Sequence, residues 1–337
     1  MAAVPVPQTL APSLASPFSA ERIRRAALGE ASTWSTRDRA PDASLKIIAR
    51  ALTNKRLAHS RAWRVWAMTV SALSQKAQLA HLRALNPDIL GEPLGRPVFV
   101  TGPPGAPLDA VRDLLATHQM VATITGLPLP VSNKPSVRAH SCRRLLRHCL
   151  TSLEFAELFD DPVYRDWLTA QDLTAAFTTL RQDLQTTVWG RAAGPLVLID
   201  PIAGLQLDRL AAVFPEAVFV RIPSADSGPH VQYCTELEKL WSSGRRGATD
   251  PTQAGAWSYE LNSRGEQALR LLKQRQPERI ITFSCHEREL IEQLEAIHTR
   301  CGRGFDAVDA SRARRWLSTH GHRLIVPIDP ERAARYA

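Results

Sequence analysis

Cysteine is scarce in this chain of 337 residues: Cys142, Cys149, Cys234, Cys285 and Cys301 are scattered, odd in number and never in C-x-x-C spacing. That pattern indicates neither a disulfide framework nor a zinc site, and it makes the cytoplasm the default compartment. Cys142 and Cys149 stand among Arg143, Arg144 and Arg147. Nearby cations can lower a thiol pKa, although ordinary thiols on a basic helix are the plainer reading. No apolar run approaches the roughly 18 residues that a membrane span requires. The opening stretch, MAAVPVPQTLAPSLASPFSA, lacks a basic start and a continuous apolar core. It does not read as a signal peptide, and residues 1–18 read as a flexible tail. Acidic residues are also short, at 33 against 42 Lys and Arg, for a net charge of +9. The excess gathers at Arg22, Arg24 and Arg25, at Arg143, Arg144 and Arg147, at Arg245 and Arg246, and at Arg312, Arg314 and Arg315. No nucleic-acid-binding motif accompanies it, so nucleic acid is disfavoured as a partner.

What is present is enough apolar residue, 44% of the chain, for one large or two modest cores. The most informative stretch is PVFVTGPPGAPLDAVRDLLATH, residues 97–118. It is an apolar strand, a turn rich in Gly and Pro, and an amphipathic helix. That order aims backbone N–H groups and a positive helix end at an anion, as phosphate-binding loops do. The finishing residues are missing. A P-loop ends G-K-[ST], with Lys on the phosphates and a hydroxyl on the metal. Here Gly105, Ala106, Pro107, Leu108 and Asp109 supply neither. Pro107 has no N–H, and Asp109 puts a negative charge beside the expected anion. The backbone pattern suggests a nucleotide and the side chains argue against one.

Periodicity and breakers set the remaining elements. Helices are expected over 19–31, 43–57 and 60–85, the last ended by Asn86-Pro87, with Trp63, Trp66, Val70 and Leu73 facing a core. Strands are expected at 97–101, 196–199, 218–222 and 279–283. Residues 121–126 read as a strand or extended segment, and 127–140 as an irregular loop. Further helices are expected over 108–117, 143–159, 161–188 (one helix or two), 205–213, 228–241, 256–274, 287–299 and 310–318, with a loop at 242–253. Strands alternating with crossover helices predict an α/β fold around a parallel sheet. The expected organisation is a tail (1–18), a helical extension (19–95), an α/β domain (96–300) and a C-terminal tail with one short helix (301–337).

The order of segments over roughly residues 45–300 resembles the bacterial branch of the PAPS-dependent sulfotransferases. The carriers are RPVFVTG at 96–102, LLATH at 114–118, and LVLIDPIAGLQLDRLAAVFPEAVFVRIPSADSGPHV at 196–231. Their most specific parts are Leu207 to Leu210 and Val213 to Ala217. The resemblance implies a three-layer sulfotransferase-like fold that binds PAPS and moves its sulfuryl group to a hydroxyl or amine. It places the cofactor region at Gly102, Gly105, Ala106, Arg221, Ser224 and Ser227. Yet the family's R-T-G-T-T loop falls on residues 105–109 with none of its five residues kept. Its LKSP lysine falls on Ile199, followed by Asp200, and its phosphate-binding arginine falls on Pro223. Arg221 is the nearest remaining cation.

Two readings follow. The first is a sulfotransferase-like pseudoenzyme with no cofactor, serving as a binding or scaffolding partner of a protein or small molecule. The alternative is an active sulfotransferase, or another transferase, that uses PAPS or PAP through relocated cations, with Arg221, Arg112 and the Arg143–Arg147 cluster as candidates. For catalysis the candidates are His118, Asp200 and His286. His118 reads as a general base or as a structural helix-end histidine. His286 with Glu287 reads as an acid–base pair or as a helix start. Asp200, at a strand end, reads as a contact for a cationic ligand or as a turn cap. No metal is expected.

Overall fold

The computed structural model describes residues 18–29, 42–54, 57–116, 142–159, 161–190, 196–200, 202, 204–223, 227–244, 250–284, 287–327 and 329–336. The chain opens with helices α1 (Ala20–Leu28), α2 (Asp42–Leu52) and α3 (His59–Leu85), then strand β1 (Val98–Thr101) and helix α4 (Leu108–Ala116). Helices α5 (Cys142–Leu146), α6 (Leu153–Phe159), α7 (Pro162–Ala170) and α8 (Thr174–Val188) lead to β2 (Val197–Ile199), α9 (Leu207–Val213) and β3 (Val218–Arg221). Then come α10 (Gly228–Gly244), α11 (Pro251–Arg275), β4 (Ile280–Thr282), α12 (Glu287–Arg300), α13 (Ala307–His320) and α14 (Pro330–Tyr336).

The expected pattern recurs with shifted ends, except that the helix expected over 143–159 is broken into α5 and α6 by a turn in which Leu150 takes φ 57°. Helix α2 stops at Leu52 rather than near residue 57, and the 161–188 stretch is a helix pair. The expected loop at 242–253 is shorter, because α10 runs on to Gly244 and α11 starts at Pro251. Asp250 caps α11, accepting from the Thr252 N–H at 3.0 Å, and Pro251 takes the first turn where no N–H is needed. The expected C-terminal tail holds two helices rather than one. The strand or extended segment expected at 121–126 and the loop expected at 127–140 lie outside the described residues.

The chain divides into two compact units. One comprises residues 1–88, 143–180 and 237–249; the other comprises 89–142, 181–236 and 250–337. The first is helical among its described residues. Phe155, Phe159 and Tyr164 pack with ring centroids about 6 Å apart. The Tyr164 hydroxyl donates to the Leu150 and Ser152 carbonyls, which ties α7 to the turn before α6. Trp63 does not join the core: it is 40% exposed and meets Phe18 and Trp66 edge to face. Phe18, the last residue of the expected tail, is buried.

The second unit carries a four-stranded, wholly parallel sheet in the order β2-β1-β3-β4. Its strands are short and apolar because both faces are covered. Val98, Val100, Val218 and Val220 point to one face, against Leu114 and Leu115 of α4, Leu290 and Leu294 of α12, and Trp316 of α13. The supposed tail thus belongs to this core. Phe99 and Phe219 point to the other face, where Phe99 meets Phe214 at 5.1 Å. These are the three layers expected.

Acid should loosen this unit in two stages. His298 is buried, and burial holds its imidazole below its ordinary pKa. Burial raises Asp113 and Glu216, but the guanidiniums of Arg112 and Arg323 on the one, and of Arg181 on the other, outweigh it and hold both below the usual carboxylate range. A folded pKa below the unfolded one gives stability that is complete above the unfolded value and is lost as pH falls. Denaturant midpoints should therefore be level above about pH 6.5, decline below it through His298, and fall again below about pH 4 through the carboxylates. His298→Asn should remove the first decline. A profile flat from neutral down to pH 5 in the wild type would contradict the assignment.

Candidate functional site

Strands β1 and β3 are neighbours on which the chain leaves in opposite directions, the switch point where open parallel sheets place ligands. Their last residues, Thr101 and Arg221, are register partners. Above them lies a notch lined by Thr101, Gly102, Pro103, Gly204, Leu207, Arg221, Asn262 and Gly265, too tight to seat a water molecule.

Asp200 follows β2 and is 1% exposed. Its Oδ2 accepts from the Thr101 hydroxyl at 2.7 Å and its Oδ1 from the Ile202 N–H at 3.0 Å. The turn-cap reading of Asp200 is thus realised. Arg221 is 6% exposed, and burial pulls its guanidinium pKa down to about 10, with Asp200 opposing. Arg221 Nη2 is paired with the Glu266 carboxylate of α11. Arg221 Nε and Asn262 Oδ1 are both buried and have no hydrogen-bond partner among the described residues.

The loop after β1 is closed on itself. Pro103, Pro104 and Pro107 have no N–H. The Ala106 N–H donates to the Pro103 carbonyl at 3.0 Å and the Leu108 N–H to the Ala106 carbonyl at 2.7 Å. Three prolines and two bonded amides leave five of the eight residues 102–109 with no N–H to offer an anion. The hollow is filled as well: a Cβ on Gly102 would lie 2.9 Å from Leu108 Cδ2 and 3.2 Å from Ala106 Cβ. Gly105, at φ 83°, presses on the first turn of α10, and a Cβ there would collide with the Pro229 carbonyl oxygen.

The structure brings Gly102, Asp200 and Arg221 together. Gly105 and Ala106 sit in the same loop without lining the notch, and Ser227 is exposed ahead of α10. His118, His286 and Ser224 lie outside the described residues. Of the other proposed cations, Arg112, Arg143 and Arg147 meet carboxylates. Arg112 meets Asp109 at 2.7 Å and Asp113 at 2.6 Å, Arg143 meets Glu157 at 2.9 Å, and Arg147 meets Glu154. Burial, with Asp200 adding to it, pushes the Cys142 thiol well up, which overturns the activated-thiol reading there. Among the described residues no His, Cys, Asp and Glu cluster could hold a metal.

Asn262, Gly265 and Glu266 were not legible as site residues. The one available signal was Gly265, a glycine inside a long helix, where it costs about 1 kcal/mol relative to alanine unless something approaches closely. Here the close neighbour is Gly204: a Cβ on Gly204 would come within 3.4 Å of the Gly265 Cα.

No protein-family model matches the chain, and no curated protein matches its sequence. Two solved structures match its shape. Sulfotransferase STF9 from Mycobacterium avium superimposes with a TM-score of 0.71 over 87% of this chain and 86% of that one, at 17% identity. Sulfotransferase STF1 from Mycobacterium tuberculosis H37Rv gives 0.67 over 90% and 94%, at 19% identity. The fold is that of a sulfotransferase. In the loop that would wrap a phosphosulfate, five of the eight residues 102–109 offer no N–H and none is a cation, and Arg221 is paired with Glu266.

Proposed function

We propose that this chain is a sulfotransferase-fold protein without sulfuryl-transfer activity, acting as a binding or scaffolding partner of a protein or small molecule. One observation carries the reading: the groups expected to meet the cofactor's anion are engaged within the chain, the Ala106 and Leu108 amides by the loop's own carbonyls, the hollow by Leu108, and Arg221 Nη2 by Glu266. Sulfuryl transfer, like phosphoryl transfer, depends on positioning and charge neutralisation. Each missing charge-assisted hydrogen bond to the anion costs about 1.5–3 kcal/mol. Without three or four of them, binding weakens by several orders of magnitude, at about 1.4 kcal/mol per tenfold.

The active alternative needs free cations, and the pairs at Arg112, Arg143, Arg147 and Arg221 speak against it. Nucleic acid stays disfavoured because no binding motif accompanies the net charge of +9. No helix among the described residues is long and apolar enough to cross a membrane, and a cytoplasmic location belongs to the same proposal. Calorimetric titration of the full chain with PAP and with PAPS should show no heat of binding. A micromolar dissociation constant for either would overturn the reading.

A further inference from the structure

The notch beside Arg221 is built to recognise one small group that the protein supplies only in part. A guanidinium offers Nε–H and Nη2–H side by side, a fork that matches both oxygens of a carboxylate. Glu266 engages Nη2 and leaves Nε unpartnered, although the residue is more than nine-tenths buried. Asn262 Oδ1 faces the same notch as a buried acceptor without a donor. A buried donor and a buried acceptor left open in one notch both favour a group that closes them. Thr101 and Asp200 already satisfy one another, so they fix the floor rather than compete for the ligand.

We infer that this notch takes a small monocarboxylate bearing an adjacent hydroxyl, an α-hydroxy acid, whose carboxylate displaces Glu266 from Arg221. The carboxylate gains both nitrogens of the fork where Glu266 holds one. The hydroxyl donates to Asn262 Oδ1. Glu266 can leave because its side chain is already 30% exposed, whereas Asp200 stays buried. The exchange also sets the ligand's charge. Arg221 is one positive charge against Asp200 and Glu266; when Glu266 swings to water, a monoanion restores the balance and a polyanion overshoots it. Displacement of Glu266 opens the notch, which in its closed form admits nothing. The inference rests on the reading that PAPS has lost this cleft.

The test titrates the full chain with glycolate and with acetate, read by ligand-observed NMR, with PAP run on the same sample. Glycolate should bind more tightly than acetate, because acetate has no donor for Asn262. Glu266→Gln should tighten glycolate about tenfold by removing its competitor. Arg221→Lys should weaken it at least tenfold, since an ammonium has no fork, and Asn262→Leu should reduce glycolate to the affinity of acetate. Should Arg221→Lys fail to fold, Glu266→Gln, on a partly exposed side chain, still decides. Glycolate no better than acetate, or unchanged by Glu266→Gln, overturns the inference. Silence of both glycolate and PAP overturns the inference alone, whereas PAP binding overturns the proposed function with it.

Discussion

Replacing Gly105 with alanine should cost the sheet-bearing unit about 2–5 kcal/mol, or prevent its folding. Two separate penalties add. At φ 83° the backbone is in the left-handed region, which costs an L-residue about 1–2 kcal/mol. The new methyl would also run into the Pro229 carbonyl oxygen and lie 2.8 Å from its carbon and 3.1 Å from the Tyr233 nitrogen. Those are backbone atoms of α10 and cannot rotate aside. Overpacking against a fixed wall adds about 1–3 kcal/mol or more. Gly95 separates the two penalties. Its φ is 64°, but nothing lies within 4 Å of a Cβ there. Gly95→Ala should therefore cost only the conformational share, and Gly95→Asn still less, because asparagine tolerates that region. Denaturant midpoints of the three variants measure this directly. Equal losses at positions 95 and 105 would show that the loop does not press on α10.

Arg221→Met should destabilise by about 3–5 kcal/mol, the usual result of removing one partner of a buried ion pair. The loss concerns Asp200 more than Glu266. Glu266 can rehydrate at the surface; Asp200, 1% exposed under Thr101, cannot. Glu266→Gln should cost less than half as much. Adding Asp200→Asn to Arg221→Met should recover most of the loss, because the amide is neutral, its oxygen can still accept from the Ile202 N–H, and its NH2 can donate to the Thr101 hydroxyl. Urea unfolding of the single and double variants gives the coupling. If the double variant is the sum of the singles, Asp200 and Arg221 do not act together.

The layout of the sheet was open to reading because its signals are local. Runs such as Val98 to Val100 and Val218 to Val220 are apolar at every position, which only a strand buried on both faces tolerates. Asp200 was identifiable because it ends such a strand, where α/β folds put ligands, and Arg221 through the resemblance, as the cation nearest to where the family's phosphate-binding arginine falls. Asn262 and Glu266 were not. They lie mid-helix on α11, about forty residues beyond β3, and nothing in spacing or composition shows that this turn of helix crosses the strand ends. The extra C-terminal helix escaped for a different reason. Residues 330–336, PERAARY, bury only Tyr336, so the segment has no apolar stripe to announce it. Helix ends near 52, 244 and 251 moved by a turn or two, as fraying termini and caps allow. Pairing of clustered arginines was not legible either: Arg143 and Arg147 meet Glu157 and Glu154, carboxylates from further along the chain.

The three prolines of the loop after β1 bear on how readily the chemistry could return. Grafting a lysine or arginine into residues 105–109 would add charge to a segment that still lacks N–H groups at positions 103, 104 and 107. Leu108 would still plug the hollow, and Gly105 would still be wedged against α10. Under the proposed reading, no single substitution supplies at once the amides, the space and the charge that a phosphosulfate needs.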